Sequence, residues 1–254
     1  MNGLADLHTH ILPGMDDGAA GIEESLRLIR REIKDGVSHI ALTSHFNFER
    51  QDMETFLKRR QTACEALREA CYKKKLEVNL YPGAEVYFSA KLLEVDPTPL
   101  CMEGNSVLLV EFPRGYYPEW AEDVFYRLNL MGITPLIAHV ERYPHFAEHP
   151  NDLLSLVENG AYVQTNASAL VSYPKVRKRI FTLIKHHLVH VVSTDTHSLE
   201  KRPPMLGQAF SMISEKLGME TANRLCQNGR DLIQGKLPQE EEPSPVRFFL
   251  GKAY

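Results

Sequence analysis

Short apolar runs of five to seven residues alternate with longer stretches of helical periodicity along most of the chain, and this alternation limits the fold most. The predicted strands are Leu4–His8, His39–Thr43, Leu80–Glu85, Val107–Phe112, Thr134–His139, Tyr162–Asn166 and Val189–Asp195. Between the first two, Ile22, Leu26, Ile29 and Ile33 recur at spacings of three and four, and Gly36 follows as a cap. Met53–Lys74, Trp120–Met131, Asp152–Asn159, Val176–His187 and Pro204–Leu217 read the same way, with Gly132 and Gly160 where helices should stop. Strand and helix alternating about seven times predicts parallel strands with right-handed crossovers. Seven such units in one α/β domain favour a closed, TIM-like barrel over an open sheet.

The C-terminal ends of the predicted strands carry metal-ligand side chains. The first ends in His8-Thr9-His10, the second is followed by His45, the third ends at Glu85 and the fourth at Glu111. The fifth ends at His139, and the seventh gives Asp195-Thr196-His197. In a barrel these ends share one face, where such folds hold their chemistry, so residues distant in sequence converge. His-x-His and Asp-x-His are the stronger signals, because period-two alternation aims both side chains the same way. Burying imidazoles and carboxylates without a cation is costly, so the pattern predicts a polynuclear metal site. Its all-nitrogen and oxygen donors suit Mn²⁺, Fe or Zn²⁺. His145, His149, His186, His187 and His190 fall in helices, loops or at a strand start and read as surface or structural, and His39 begins a strand at the wrong end.

Composition removes other readings. With 29 Lys+Arg against 33 Asp+Glu the formal charge is -4, which argues against a nucleic-acid partner. No run approaches the roughly 20 apolar residues of a membrane helix, so membrane insertion is not expected. The N-terminus lacks the basic and apolar regions of a signal peptide, which sets a cytoplasmic location as the default. The four cysteines form no Cys-x-x-Cys pair, and no arginine lies six positions after any of them, so thiol-based phosphatase chemistry is absent. After Pro238 the composition turns acidic and proline-rich, then aromatic and basic. Residues 3–238 are therefore read as the barrel, and 239–254 as an unfolded acidic, proline-rich linker followed by an aromatic-basic tail that is packed on the barrel, frayed or a docking peptide.

Asp6-Leu7-His8-Thr9-His10, Asp16-Asp17-Gly18, Thr43-Ser44-His45, Gly83-Ala84-Glu85, Glu111-Phe112, Ile137-Ala138-His139-Val140-Glu141-Arg142 and Ser193-Thr194-Asp195-Thr196-His197 resemble the polymerase and histidinol phosphatase (PHP) superfamily. Within it the chain is similar to the bacterial protein-tyrosine phosphatases of capsular and extracellular polysaccharide operons. Asp-Asp-Gly after His-x-His, His-x-Glu-Arg-Tyr and Arg202-Pro203-Pro204 carry the resemblance to that subgroup. It implies a distorted (β/α)7 barrel with three divalent metal ions, Mn²⁺ foremost. His8, His10, Glu85 and Asp195 would hold the first, Glu85, Glu111 and His139 the second, and Asp17, His45 and His197 the third. Asp17 is preferred to Asp16 because the subgroup uses the acid before the glycine. Arg142 and Arg202 would contact the phosphate.

The resemblance implies hydrolysis of phosphotyrosine by a metal-bridged hydroxide, on a tyrosine kinase that regulates polysaccharide synthesis. The chemistry is coherent: metals and arginines outweigh the carboxylates and suit a phosphate dianion. A tyrosine phenol, pKa about 10, leaves with little protonation, so no general acid is assigned. The alternatives are a histidinol-phosphate or other small-molecule phosphoesterase, a metal-dependent nuclease, which the lack of a basic stripe disfavours, and a non-catalytic partner-binding module.

Overall fold

A computed structural model describes residues 3–239, 241–249 and 252–253. The first unit is β1 (Leu4–Asp6) with α1 (Ile22–Lys34). The second strand comes in two pieces, β2 (Val37–Leu42) and β3 (His45–Phe46), followed by α2 (Met53–Lys73). The third is also split, into β4 (Asn79–Pro82) and β5 (Glu85–Tyr87). Next come β6 (Val107–Glu111) with α3 (Ala121–Leu130), and β7 (Thr134–Ile137) with α4 (Pro144–Glu148) and α5 (Pro150–Glu158). The last two units are β8 (Tyr162–Asn166) with α6 (Ala167–Val171) and α7 (Pro174–Lys185), and β9 (Val191–Ser193) with α8 (Leu206–Leu217) and α9 (Met219–Ile233).

All pairings among β1–β9 are parallel, in the orders β1-β2-β4 and β3-β5-β6-β7-β8-β9. The two sheets are continuous where β2 runs on to β3 and β4 to β5. Gly83 N–H donates to the Leu42 carbonyl at 3.0 Å and Glu85 N–H to that of Ser44 at 3.1 Å. At the far edge Thr9 forms a parallel bridge with Thr196. His10 N–H donates to the Thr196 carbonyl at 2.9 Å, and Asp195 N–H to the His8 carbonyl at 2.8 Å. The last strand thus meets the first, in the α/β arrangement of parallel strands that the sequence pattern predicts.

Alternation along the strands divides the core. Leu108 and Val110 of β6 pack with the helices, while Val107 and Leu109 join Ala5, Leu7, Ala41, Leu136, Ala138 and Val191 in a second cluster. Glu111 continues the Val107–Leu109 face by two residues, and Gln164 and Asn166 continue that of Tyr162 on β8. One end of the second cluster is therefore apolar, and the strand C-termini bring polar groups to the other.

The first predicted strand ends early, at Asp6, and the third is broken after Pro82. The structure departs further from the sequence reading in three places. Predicted strands five and seven run too far, because His139 and Asp195 take left-handed backbone, φ 31° and 53°, just past β7 and β9. That conformation is uncommon for residues with a side chain and breaks the regular strand geometry. Helix α9, absent from the prediction, packs on α8, β1 and β9 through Leu225, Gly229 and Leu232. The acidic segment after Pro238, read as unfolded, is held without regular structure. Glu241 lies 2.7 Å from His187 Nδ1, Ser244 N–H donates to the His186 carbonyl, and buried Val246 exchanges hydrogen bonds with Asn151. Residues 250, 251 and 254 of the predicted tail lie outside the described residues, as does 240.

Gly18 anchors the loop after β1 against the backbone of His10. A Cβ there would sit 2.0 Å from the His10 carbonyl oxygen and 2.6 Å from its Cβ. Gly18→Ala should therefore cost about 1–3 kcal/mol or more and lower the melting temperature by roughly 2–10 °C. An unchanged thermal melt would contradict this packing.

Candidate metal centre

Every ligand-type side chain at the strand ends reaches one cluster. His8 Nε2 lies 3.2 Å from His10 Nε2, 3.2 Å from Glu85 Oε2 and 3.4 Å from Asp195 Oδ1. His10 Nε2 is 3.3 Å from each of the same two carboxylate oxygens. His139 Nε2 is 2.8 Å from Glu85 Oε1 and 3.6 Å from Glu111 Oε1. Asp17 Oδ1 is 3.5 Å from His45 Nε2 and 3.4 Å from His197 Nε2. Three sets have donor atoms within 4.8 Å of one another: His8, His10 and Glu85; His45, Glu85 and Glu111; and His10, Asp17, His45 and His197. These overlap the three groups that the resemblance implies, with His10, His45 and Glu85 each shared between two sets, and His139 and Asp195 join through their contacts with Glu85, His8 and His10.

Neighbouring groups fix which nitrogen of each ring faces inward. The Gln164 amide is oriented by two bonds: Oε1 accepts from His139 N–H at 2.6 Å, and Nε2 donates to Asn166 Oδ1 at 2.8 Å. His8 Nδ1, 3.2 Å from that same Oε1, must then be its protonated nitrogen. Asp16 Oδ2 accepts from His10 Nδ1 at 2.8 Å, and the Asp195 carbonyl from His197 Nδ1 at 2.9 Å. In the neutral rings the Nε2 lone pairs of His8, His10 and His197 all face the cluster. Two lone pairs 3.2 Å apart, beside two carboxylates, need a cation between them. Glu85 Oε2 meets three imidazole nitrogens, His8 Nε2 at 3.2 Å, His10 Nε2 at 3.3 Å and His45 Nδ1 at 2.9 Å, and His197 Nε2 is shielded from solvent without a hydrogen-bond partner, which also fits a metal-ligand set.

The arrangement separates the two aspartates. Asp16 is turned away: it accepts from His10 Nδ1 and from the backbone N–H groups of His45 and Gly18. Asp17 faces the cluster from the solvent side. Arg142 pairs with Asp195 Oδ2, while Arg202 lies 3.7 Å from that oxygen and 3.0 Å from Asp17 Oδ2. Both predicted arginines therefore border the cluster on the side of Asp195.

Sequence reasoning missed the groups that orient the ligands. Gln164 and Asn166 bear no ligand signature, Asp16 entered only as the alternative ligand to Asp17, and Asn166 Nδ2 donates to Asp195 Oδ2 at 3.1 Å. The available signal was two amides on the Tyr162 face of an otherwise apolar strand. Asp6, fully buried, accepts from the backbone N–H groups of His8 and Thr194 and ties the two ligand-bearing strand ends together.

A family model described as capsular polysaccharide synthesis, CpsB/CapC, matches residues 4–234. The chain belongs to this family. It is 30% identical over 249 residues to tyrosine-protein phosphatase YwqE of Bacillus subtilis (strain 168), covering 96% of this chain and 97% of that protein. It is 32% identical over 254 residues to tyrosine-protein phosphatase CpsB of Streptococcus pneumoniae, covering 92% of this chain and all of that protein. A solved structure from a study of YwqE and CpsB, described there as unique metal-dependent tyrosine phosphatases, superimposes with a TM-score of 0.90 at 28% identity. The match covers 96% of this chain and 100% of that one. The CpsB/CapC fold is thus shared over nearly the full length, and among the described residues no helix is long and apolar enough to cross a membrane.

Electrostatics give this CpsB/CapC cluster a pH signature. Burial opposes the charged forms of His8 and His10, yet the carboxylates around them outweigh it and raise both pKa values. Burial likewise opposes ionisation of Glu85 and Asp195, and the imidazoles hold both well below the usual carboxylate range. Without metal, protons on His8 and His10 supply the missing cation. A raised histidine pKa contributes stability fully present below about pH 6.5 and lost as pH rises through the folded value. Chelated protein should therefore melt at progressively lower temperature as pH rises above 6.5. Adding Mn²⁺ should restore the melt most strongly at the alkaline end. A flat melting profile for the chelated protein would contradict the assignment.

Proposed function

We propose that this protein is a metal-dependent protein-tyrosine phosphatase that removes phosphate from tyrosine on a protein substrate. The observation that carries the reading is the placement of Arg142 and Arg202 beside the Asp195 edge of a cluster whose buried donors call for cations. Membership of the capsular polysaccharide synthesis family and similarity to tyrosine-protein phosphatases YwqE and CpsB support the same activity and a role in that synthesis. The substrate we propose is a bacterial tyrosine kinase that regulates that synthesis.

In this reading His8, His10, Glu85 and Asp195 hold one divalent ion, Glu85, Glu111 and His139 a second, and Asp17, His45 and His197 a third, with Mn²⁺ the first choice. When bound, such ions bring the pKa of water toward neutrality and take up charge on the phosphoryl oxygens. The chain's own residues do the rest. Arg142 and Arg202 offer planar, fixed donors to a phosphate dianion and hold the phosphorus over the cluster. Gln164, Asp16 and the Asp195 carbonyl hold the rings of His8, His10 and His197, so the site is arranged before substrate arrives. The leaving phenol, pKa about 10, departs without a dedicated acid, and none is assigned. A small-molecule phosphoesterase would use the same cluster; the names of the relatives favour the protein substrate.

Arg202→Ala should retain the metal content of the native protein and lower kcat/KM on a phosphotyrosine peptide by about 10²–10³-fold. His139→Ala or Glu111→Ala should lower metal content and turnover together. Elemental analysis paired with phosphate release checks both. Full activity in any of the three, or loss of metal in Arg202→Ala, would overturn the corresponding role.

A further inference from the structure

Beside the cluster, between the loop after β6 and the loop after β7, lies a separate cavity of about 220 Å³. Phe112, Tyr116, Tyr117, Tyr143 and Phe146 line it, with Arg114 at its side. Its walls are set in advance. The buried Tyr143 hydroxyl accepts from Phe112 N–H at 3.0 Å and ties the two loops together. The Tyr117 ring stacks on His145 at 4.3 Å between centroids and 7° between planes, and His145 Nε2 lies 2.6 Å from Asp152 Oδ2. A pocket whose walls need no ordering loses less on binding.

Its chemistry selects one kind of occupant. Aromatic walls and a guanidinium, with no carboxylate in the lining, suit the face of an aromatic ring. Arg114 has a largely exposed side chain, and its ion-pair partner is Glu111 at 3.7 Å. In the proposed metal set Glu111 neutralises a cation, which leaves the Arg114 guanidinium for a ligand. The Tyr143 ring in its wall lies 5.6 Å from the ring of His139, centroid to centroid, so the cavity adjoins the cluster. Yet none of the nine proposed ligands and neither phosphate-contacting arginine lines it.

We infer that this cavity is a second substrate subsite, which receives an aromatic side chain of the substrate protein a few residues from the phosphotyrosine. The inference rests on the phosphatase reading and adds to it a sequence preference, carried by Arg114, Tyr116 and Tyr117.

The test uses the full-length, Mn²⁺-loaded protein. Its substrates are phosphotyrosine peptides with alanine flanks, the same peptides with one phenylalanine moved through successive positions on either side, and p-nitrophenyl phosphate, which has no flank. One register should raise kcat/KM by roughly 2–10-fold over the alanine-flanked peptide, mainly through KM. In Arg114→Ala and Tyr116→Ala that ratio should fall toward one. No preferred register, or a preference that survives both variants, would overturn the inference. So would an equal loss of p-nitrophenyl phosphate and peptide turnover in the variants, since the cavity would then seat the phosphotyrosine ring itself. No turnover of any phosphoester by metal-loaded protein would remove the phosphatase reading and this subsite with it.

Discussion

The imidazoles of His8 and His10 approach within 3.2 Å through their Nε2 atoms, with Glu85 and Asp195 oxygens 3.2–3.4 Å away. Since Gln164 and Asp16 accept from the opposite ring nitrogens, this contact joins bare lone pairs unless a proton or metal lies among them. Much of the surrounding structure exists to hold that crowding in place. Asp6 clamps the backbones of His8 and Thr194, the Thr9–Thr196 bridge joins the first strand to the last, and Gly18 lets the following loop lie against His10. His139 and Asp195 take left-handed backbone at the points where their side chains must turn inward, a conformation that costs about 1–3 kcal/mol each. Strain of that kind persists where neighbouring contacts over-determine it, and both residues sit in the hydrogen-bond network of Gln164 and Asn166.

Much of this was legible before any coordinates. Seven apolar runs mark the strands because buried parallel strands need continuous apolar sequence, and the Tyr162–Asn166 prediction matches β8 residue for residue. The clustering of these side chains was legible because His, Asp and Glu at the ends of buried strands have few other physical explanations than a shared site. The remainder was hidden for definite reasons. Asp16 and Asp17 lie in a loop, where no period tells which carboxylate faces inward. Gln164 and Asn166 act through hydrogen bonds, and amides carry no metal-ligand signature. The overextended strands follow from reading His139 and Asp195 as regular strand residues, when their backbones leave the sheet. The acidic segment looked unstructured by composition, but Glu241, Ser244 and Val246 each find a partner on the barrel.

The organisation separates two tasks. Buried donors, oriented by amides, carbonyls and Asp16, define where cations and phosphate belong. In the proposed reading, more exposed groups on the loops after β6 and β7, Arg114 and Tyr116 among them, meet the polypeptide that carries the phosphate. On this reading the chain keeps its chemistry on rigid strand ends and its contacts with substrate on loops, a division that lets specificity vary without disturbing the proposed ligands.

The most direct test of the account is anomalous diffraction at the manganese absorption edge from crystals grown with Mn²⁺. The account predicts peaks enclosed by His8, His10, Glu85 and Asp195, by Glu85, Glu111 and His139, and by Asp17, His45 and His197, with Asp16 outside every coordination sphere. An absence of anomalous density among these residues, or a metal ligated by Asp16 in place of Asp17, would contradict it.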